Sequence, residues 1–194
     1  GFGTVEQIAR EKSYLGCYTR PDGTVIFPHY CTQYSSFDNF PATSIILAPE
    51  NTSGPINLPA SQVVFWNVNR GHRSARGCRL TLKKSPDEEK QFELPPVSPG
   101  MVCNAALAIV MAGQMGIDDE SIQERLNHWR PASLRGEIIQ YGKTLYYVDC
   151  YNASPASMVD AFASFELNMP PELNRLYVLG CMSELGEQSP NLHI

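Results

Sequence analysis

Asp149 is the residue whose setting says most about chemistry. It ends an apolar run, Thr144-Leu145-Tyr146-Tyr147-Val148, and opens the polar turn Cys150-Tyr151-Asn152-Ala153. Ser154 and Pro155 then fit the N-cap and first position of a helix. A strand, an acid at its C-terminal end, a polar turn and a helix N-terminus are how α/β proteins hold phosphorylated ligands. An aspartate that only caps the next turn accounts for the same residue.

Other side chains add to this set. Arg135, in Leu134-Arg135-Gly136-Glu137, carries a guanidinium whose planar fork suits phosphate. A surface pair with Glu137 is the plainer alternative and is worth little. Asn104 interrupts an apolar helical run, where it bonds either a loop or a ligand. Lys12 falls on a helical face with Val5, Ile8 and Leu15. An unpaired lysine on a buried apolar face must snorkel, pair or be modified.

The elements that position these residues are legible in the patterning. Residues 4–16 read as a helix, 24–27 and 44–48 as strands, and 49–61 as a Pro/Asn/Ser/Gly-rich loop. Residues 62–68, 78–82 and 91–94 suggest a small β meander. Its basic loop, residues 69–76, reads as a solvated hairpin tip before it reads as an anion site. Residues 101–115 form an alanine-rich helix ended by Gly116. Asp118 caps the next helix, with Ile117 and Ile122 at the staple positions and Ile122, Leu126 and Trp129 on the buried face. Residues 130–133 read as a linker, which places a domain boundary near residue 130. Residues 137–141 and 144–149 flank Gly142-Lys143 as a two-residue hairpin. Met158, Val159, Phe162 and Phe165 mark one face of the following helix, and residues 176–179 a further strand.

Composition sets the outer bounds. The chain has 194 residues and a net charge of -5, which argues against a nucleic-acid binder. Its six cysteines show no C-x-x-C pair, so reduced thiols are expected and a zinc site is not. No apolar run reaches the ~20 residues that span a bilayer, and no signal peptide opens the chain. A cytoplasmic monomer is the expectation. Gly1-Phe2-Gly3 runs straight into a helix with no initiator methionine, so the chain reads as a piece of something longer.

Several of these segments together resemble the Mur ligase family, the ATP-dependent amide-forming enzymes of peptidoglycan precursor synthesis. Residues 149–158 are similar to its D-S-Y-N-A-N-P-x-S-M. Residues 178–186 are similar to V-L-G-D-M-x-E-L-G, with Ser189 and His193 matching a following serine and histidine. Residues 2–12 resemble F-G-S-x-E-x-I-A-x-x-K, and residues 104–108 resemble N-A-L-A-A. Leu134-Arg135-Gly136-Glu137 resembles an interdomain G-R-x-E. The match is good over residues 1–28 and 98–194 and weak over 29–97. It is strongest to the member that adds D-Ala-D-Ala to UDP-MurNAc-tripeptide.

The resemblance implies an α/β fold. Residues 1–129 would be the distal part of the central ATPase domain, a mixed sheet with helices plus the small meander. Residues 130–194 would start a Rossmann-like C-terminal domain. It implies ATP and Mg²⁺ as cofactors, and UDP-MurNAc-peptide and D-Ala-D-Ala as substrates. Lys12 becomes the lysine that is carbamylated in many members, a carboxylate-like oxygen ligand for Mg²⁺. Arg135 becomes the arginine that approaches the ATP phosphates, and Asn104, Asp149, Tyr151 and Asn152 become nucleotide neighbours. Asn104 and Arg135 would face residues 149–158 across the domain boundary.

The family's G-x-x-x-x-G-K-S/T loop is not among these residues. The chain alone is therefore expected to be inactive. Ser154 and Cys181 stand where the family has asparagine and aspartate, which leaves open a degenerate, non-catalytic binding module. A folylpolyglutamate synthase-like amide ligase is the other alternative.

Overall fold

Helix α1, Val5–Cys17, begins where Thr4 accepts from the Gln7 amide and Gln7 returns the bond to Thr4 N. The described residues of this computed structural model are 4–52, 61–69, 77–85, 87–183, 185 and 189–193. The basic loop expected at 69–76 falls at 70–76 outside them, as do Gly1 to Gly3 and most of the 49–61 loop.

Three strands pair in parallel: β1 (Thr24–Pro28), β2 (Thr43–Pro49) and β3 (Ser61–Asn69). Two more continue antiparallel, β4 (Cys78–Ser85) and β5 (Glu88–Leu94). The expected meander is thus no separate unit. It completes one mixed sheet of order β1-β2-β3-β4-β5. Strand β2 lies inside this sheet and is buried along almost its whole length, which is why it reads as an unbroken apolar run.

The two faces carry different layers. Ile45, Leu47, Val64, Leu80 and Phe92 pack against Val102, Ala105, Ala106 and Ile109 of α2 (Pro99–Gln114) and Ile122 of α3 (Asp119–His128). On the other face Ile46 and Phe27 pack with Phe37 and Ala9. There Phe40 meets Phe27 and Phe37 edge-on, and the rings of Phe27 and Phe37 are tilted to each other. Short 3₁₀ turns, His29–Gln33 and Ser35–Phe37, supply part of that layer.

Helix α1 corrects one expectation. Its buried side is Ala9, Ser13 and Gly16. Val5, Ile8, Lys12 and Leu15 face outward, Leu15 being 81% exposed. Small residues recur at i, i+4, i+7 as regularly as the large ones do, and they let the helix approach the aromatic layer closely. A Cβ on Gly16 would lie 2.5 Å from the Phe40 ring.

Helix ends follow the sequence signals. Ser98 caps α2 by accepting from Met101 N, and Pro99 takes its first position. Gly116, at φ +80°, ends it; Ile117 N donates to Ala112 O and Gly116 N to Gly113 O. Asp118 caps α3 by accepting from Ser121 N.

The remaining unit is smaller. Strands β6 (Glu137–Tyr141) and β7 (Thr144–Val148) form a two-stranded sheet. The two-residue turn has Gly142 at φ +59° and pairs Tyr141 with Thr144. Helix α4, Pro155–Asn168, is capped by Ser154, whose hydroxyl accepts from Ser157 N. Phe165 packs on Tyr147 and Tyr177. Val159 is 70% exposed and lies off the buried face. Residues 176–179 form no strand. A strand is defined by a backbone partner, and among the described residues β7 pairs only with β6. Leu176 and Val178 are accordingly exposed, at 84% and 88%. A last helix, α5, covers Ser189–Leu192. No helix among the described residues is long and apolar enough to cross a membrane.

Candidate functional site

The linker after α3 bends sharply before β6. Leu134 has φ +64° and Gly136 φ +70°, the former an uncommon conformation for a branched side chain. The bend is held in place. Leu134 O accepts from both Cys150 N (3.1 Å) and Tyr151 N (3.2 Å), tying the linker to the turn after β7. That clamp sets Arg135 over Tyr151, with the guanidinium carbon 4.0 Å from the ring centroid. Stacking of this kind orients a guanidinium and leaves its N–H edge open. Arg135 makes no ion pair within 4 Å among the described residues.

Asp149 lies beside this pair. Burial pushes its carboxyl above the usual range; the Arg135 charge pulls it back, and Asp160 pushes it up again. The Tyr147 hydroxyl is buried without a well-formed hydrogen bond, and Ser164 and the Asp149 carboxyl are its polar neighbours. Burial raises this phenol too. Asn152 folds its side chain back, Oδ1 accepting from Ala153 N at 2.9 Å. Tyr147, Asp149, Met158, Phe162 and Phe165 share a shallow pocket of about 100 Å³ with residues 176–179.

The structure therefore brings together Arg135, Asp149 and Tyr151, with Asn152 in the same turn. Asn104 is exposed on α2 and lines a different, largely apolar groove of about 660 Å³ between α2 and α3, with Ala108, Ile109, Leu126 and Trp129. Lys12 is exposed on α1, on the opposite face of the sheet from α2. Its expected burial on an apolar face does not occur, so nothing there forces it to pair or be modified. Downstream, His193 accepts from Met182 N through Nε2, and its Nδ1 lies 2.7 Å from Ser189 O. The matching serine and histidine thus tie α5 back to the 181–183 segment.

Asp160, on α4, was not foreseen. Its Oδ1 accepts from Gly100 N in the first turn of α2, at 2.9 Å. A backbone amide sixty residues away leaves no mark on local sequence.

Among the described residues no three of His, Cys, Asp and Glu come together to hold a metal. An exposed, oriented guanidinium over an aromatic ring does fit a phosphate-bearing ligand such as ATP. The half-buried thiol of Cys31 is pushed up to about 11 by burial and by Cys103, so it is protonated at neutral pH and a poor nucleophile.

A pH prediction follows from Asp149. A carboxyl raised in the folded state favours the fold below its ordinary pKa and loses that contribution as pH rises through the folded value. Asp149→Asn should therefore raise the neutral-pH Tm slightly, and the gain should vanish near pH 3. Thermal melts across that range would show an equal or lower neutral Tm if the reading is wrong.

No protein-family model matches the chain. The UDP-N-acetylmuramoyl-tripeptide–D-alanyl-D-alanine ligase of Treponema pallidum (strain Nichols) is 34% identical over 166 residues, 81% of this chain. The chain spans only 34% of that relative's length. Among solved structures, MurF from Acinetobacter baumannii superposes with a TM-score of 0.70 at 23% identity, over 99% of this chain and 39% of that one. MurF from Thermotoga maritima in complex with ADP also reaches 0.70, at 17% identity, over 99% of this chain and 41% of that one. At these identities the superpositions show a shared mixed α/β fold.

Proposed function

Because the chain belongs to the Mur ligase family, we propose that it is part of an ATP-dependent ligase that adds D-Ala-D-Ala to UDP-MurNAc-tripeptide in peptidoglycan precursor synthesis. The observation that carries this is Arg135, stacked on Tyr151 beside Asp149, in a chain 34% identical to a curated ligase of that activity. In this reading residues 1–129 belong to the central domain and residues 130–194 to the C-terminal one. The linker clamped at Leu134, a few residues past that boundary, supports this division. The protein acts in the cytoplasm as a monomer.

The reaction proceeds in two steps. A carboxylate oxygen of the substrate takes the γ-phosphoryl group of ATP, giving an acyl phosphate and releasing ADP. The amine of D-Ala-D-Ala attacks that carbonyl, and phosphate leaves from a tetrahedral intermediate. Such chemistry depends on cationic clamps and positioning. Arg135 supplies one clamp, pre-oriented by Tyr151. The family's phosphate-binding loop is not among these residues, so the chain alone should not hydrolyse ATP. Lys12, if carbamylated, adds one oxygen ligand for Mg²⁺.

The test is phosphate release by the longer protein that carries this chain. It should require ATP, UDP-MurNAc-tripeptide and D-Ala-D-Ala together; release independent of the dipeptide would sink the assignment. For Lys12, intact mass should show a carbamate adduct at high bicarbonate. Lys12→Ala should abolish activity without rescue by bicarbonate, and full activity of that variant would remove Lys12 from the site.

A further inference from the structure

The first-turn amides of α2 can be accounted for one by one. Pro99 has no N–H. Met101 N donates to Ser98 Oγ and Val102 N to Ser98 O. Gly100 N has no such local acceptor and donates instead to Asp160 Oδ1 at 2.9 Å. The N-terminal cap of α2 is therefore completed by a carboxylate from α4. An anion is favoured there by the amide and by the helix dipole. A Cβ on Gly100 would lie 2.9 Å from Asp160 Oδ2, so any larger residue there would push the carboxylate out of its present position.

The contact sits at a seam. On one side lies α2, which belongs to the core of the five-stranded sheet. On the other lies α4, which begins directly after residues 149–153 and packs on α2. Among the described residues, the hairpin and α4 are joined to the sheet by the covalent linker, bent at Leu134, by packing of α4 on α2 and by the Asp160 cap.

We propose that Asp160 is a positioning residue, which holds α4 against the N-terminus of α2 and so fixes the Arg135–Asp149–Tyr151 group relative to the sheet. It rests on the ligase reading only for the use of the group it positions. Asp160 touches no reacting atom in this scheme. Its role is to set where the stacked guanidinium points.

The experiment uses the 194-residue chain without nucleotide, so its failure and that of the ligase reading are separable. In Asp160→Ala, exchange of the Gly100 amide should speed up by about fivefold, as for loss of one half-exposed hydrogen bond. Tryptic cleavage after Arg135 should accelerate to a similar degree, while amides of Ile45 to Ala48 in β2 keep their protection. Asp160→Asn keeps an acceptor oxygen and should fall between. Gly100→Ala retains the carboxylate but blocks its approach, so it should reproduce the faster cleavage even if Asp160→Ala fails to fold. Cleavage after Arg135 that is unchanged in the variants that fold would overturn the proposal. So would loss of protection throughout β2, because the contact would then be a global stability element.

Discussion

On the proposed ligase reading, replacing Arg135 by alanine in the longer protein that carries this chain is expected to cost about 100- to 1000-fold in kcat, the scale for removing one preorganised donor to developing charge. The geometry makes the effect specific to chemistry. Arg135 is exposed, makes no ion pair among the described residues, and gains its orientation from Tyr151 at 4.0 Å. An exposed cation–π contact stabilises a fold by only about 0.5–1 kcal/mol, so Arg135→Ala should melt close to the parent. Arg135→Lys should recover a small part of the rate, since an ammonium keeps charge without the planar fork. Tyr151→Ala should lose less than Arg135→Ala, because it removes orientation and leaves charge. Steady-state phosphate release with all three substrates would report these losses. An Arg135→Ala enzyme within threefold of parent kcat would remove Arg135 from the reaction.

Gly77→Ala is expected to destabilise the chain by about 3 kcal/mol or more, among the largest effects of a single methyl group. Gly77 stands at φ +89° just before β4, and a Cβ there would lie 1.9 Å from Leu94 O. The obstruction is backbone, and Leu94 pairs with Cys78 in the β4–β5 ladder. Relief requires moving a strand whose Phe92 and Leu94 are buried in the core. Gly113→Ala is the matched control. It lies in α2 with nothing within 4 Å of the added Cβ, so it should be neutral or stabilising by up to about 1 kcal/mol. Urea unfolding of both variants measures the contrast. A Gly77→Ala chain as stable as Gly113→Ala would contradict the described turn.

Local signals were read correctly where one residue type does one physical job. Asp118 and Ser154 cap their helices, Gly116 ends α2, and Gly142-Lys143 turns the hairpin. In each, donor and acceptor lie within a few residues, so the information is local. The candidate site is local only in part. Asp149, Tyr151 and Asn152 share one turn, and Arg135 joins them through the Leu134 clamp.

Periodicity failed where it reported a face without its partner. In α1 the large residues point out because the aromatic layer accepts only the small ones. Residues 176–179 have the composition of a strand but no backbone to pair with among the described residues. Asn104 was expected by resemblance to face residues 149–158, yet it lines a separate groove between α2 and α3.

The sequence by itself determined the helix ends, the turns, the family and the strand–turn–helix that carries Asp149, because each depends on contacts a few residues apart or on an ordered string of residue types. Only the tertiary structure decided which side of α1 is buried, that the meander continues the parallel strands in one sheet, and that Asp160 caps α2. Those outcomes depend on pairs of surfaces or backbone groups brought together across tens of residues, and no local pattern encodes the partner.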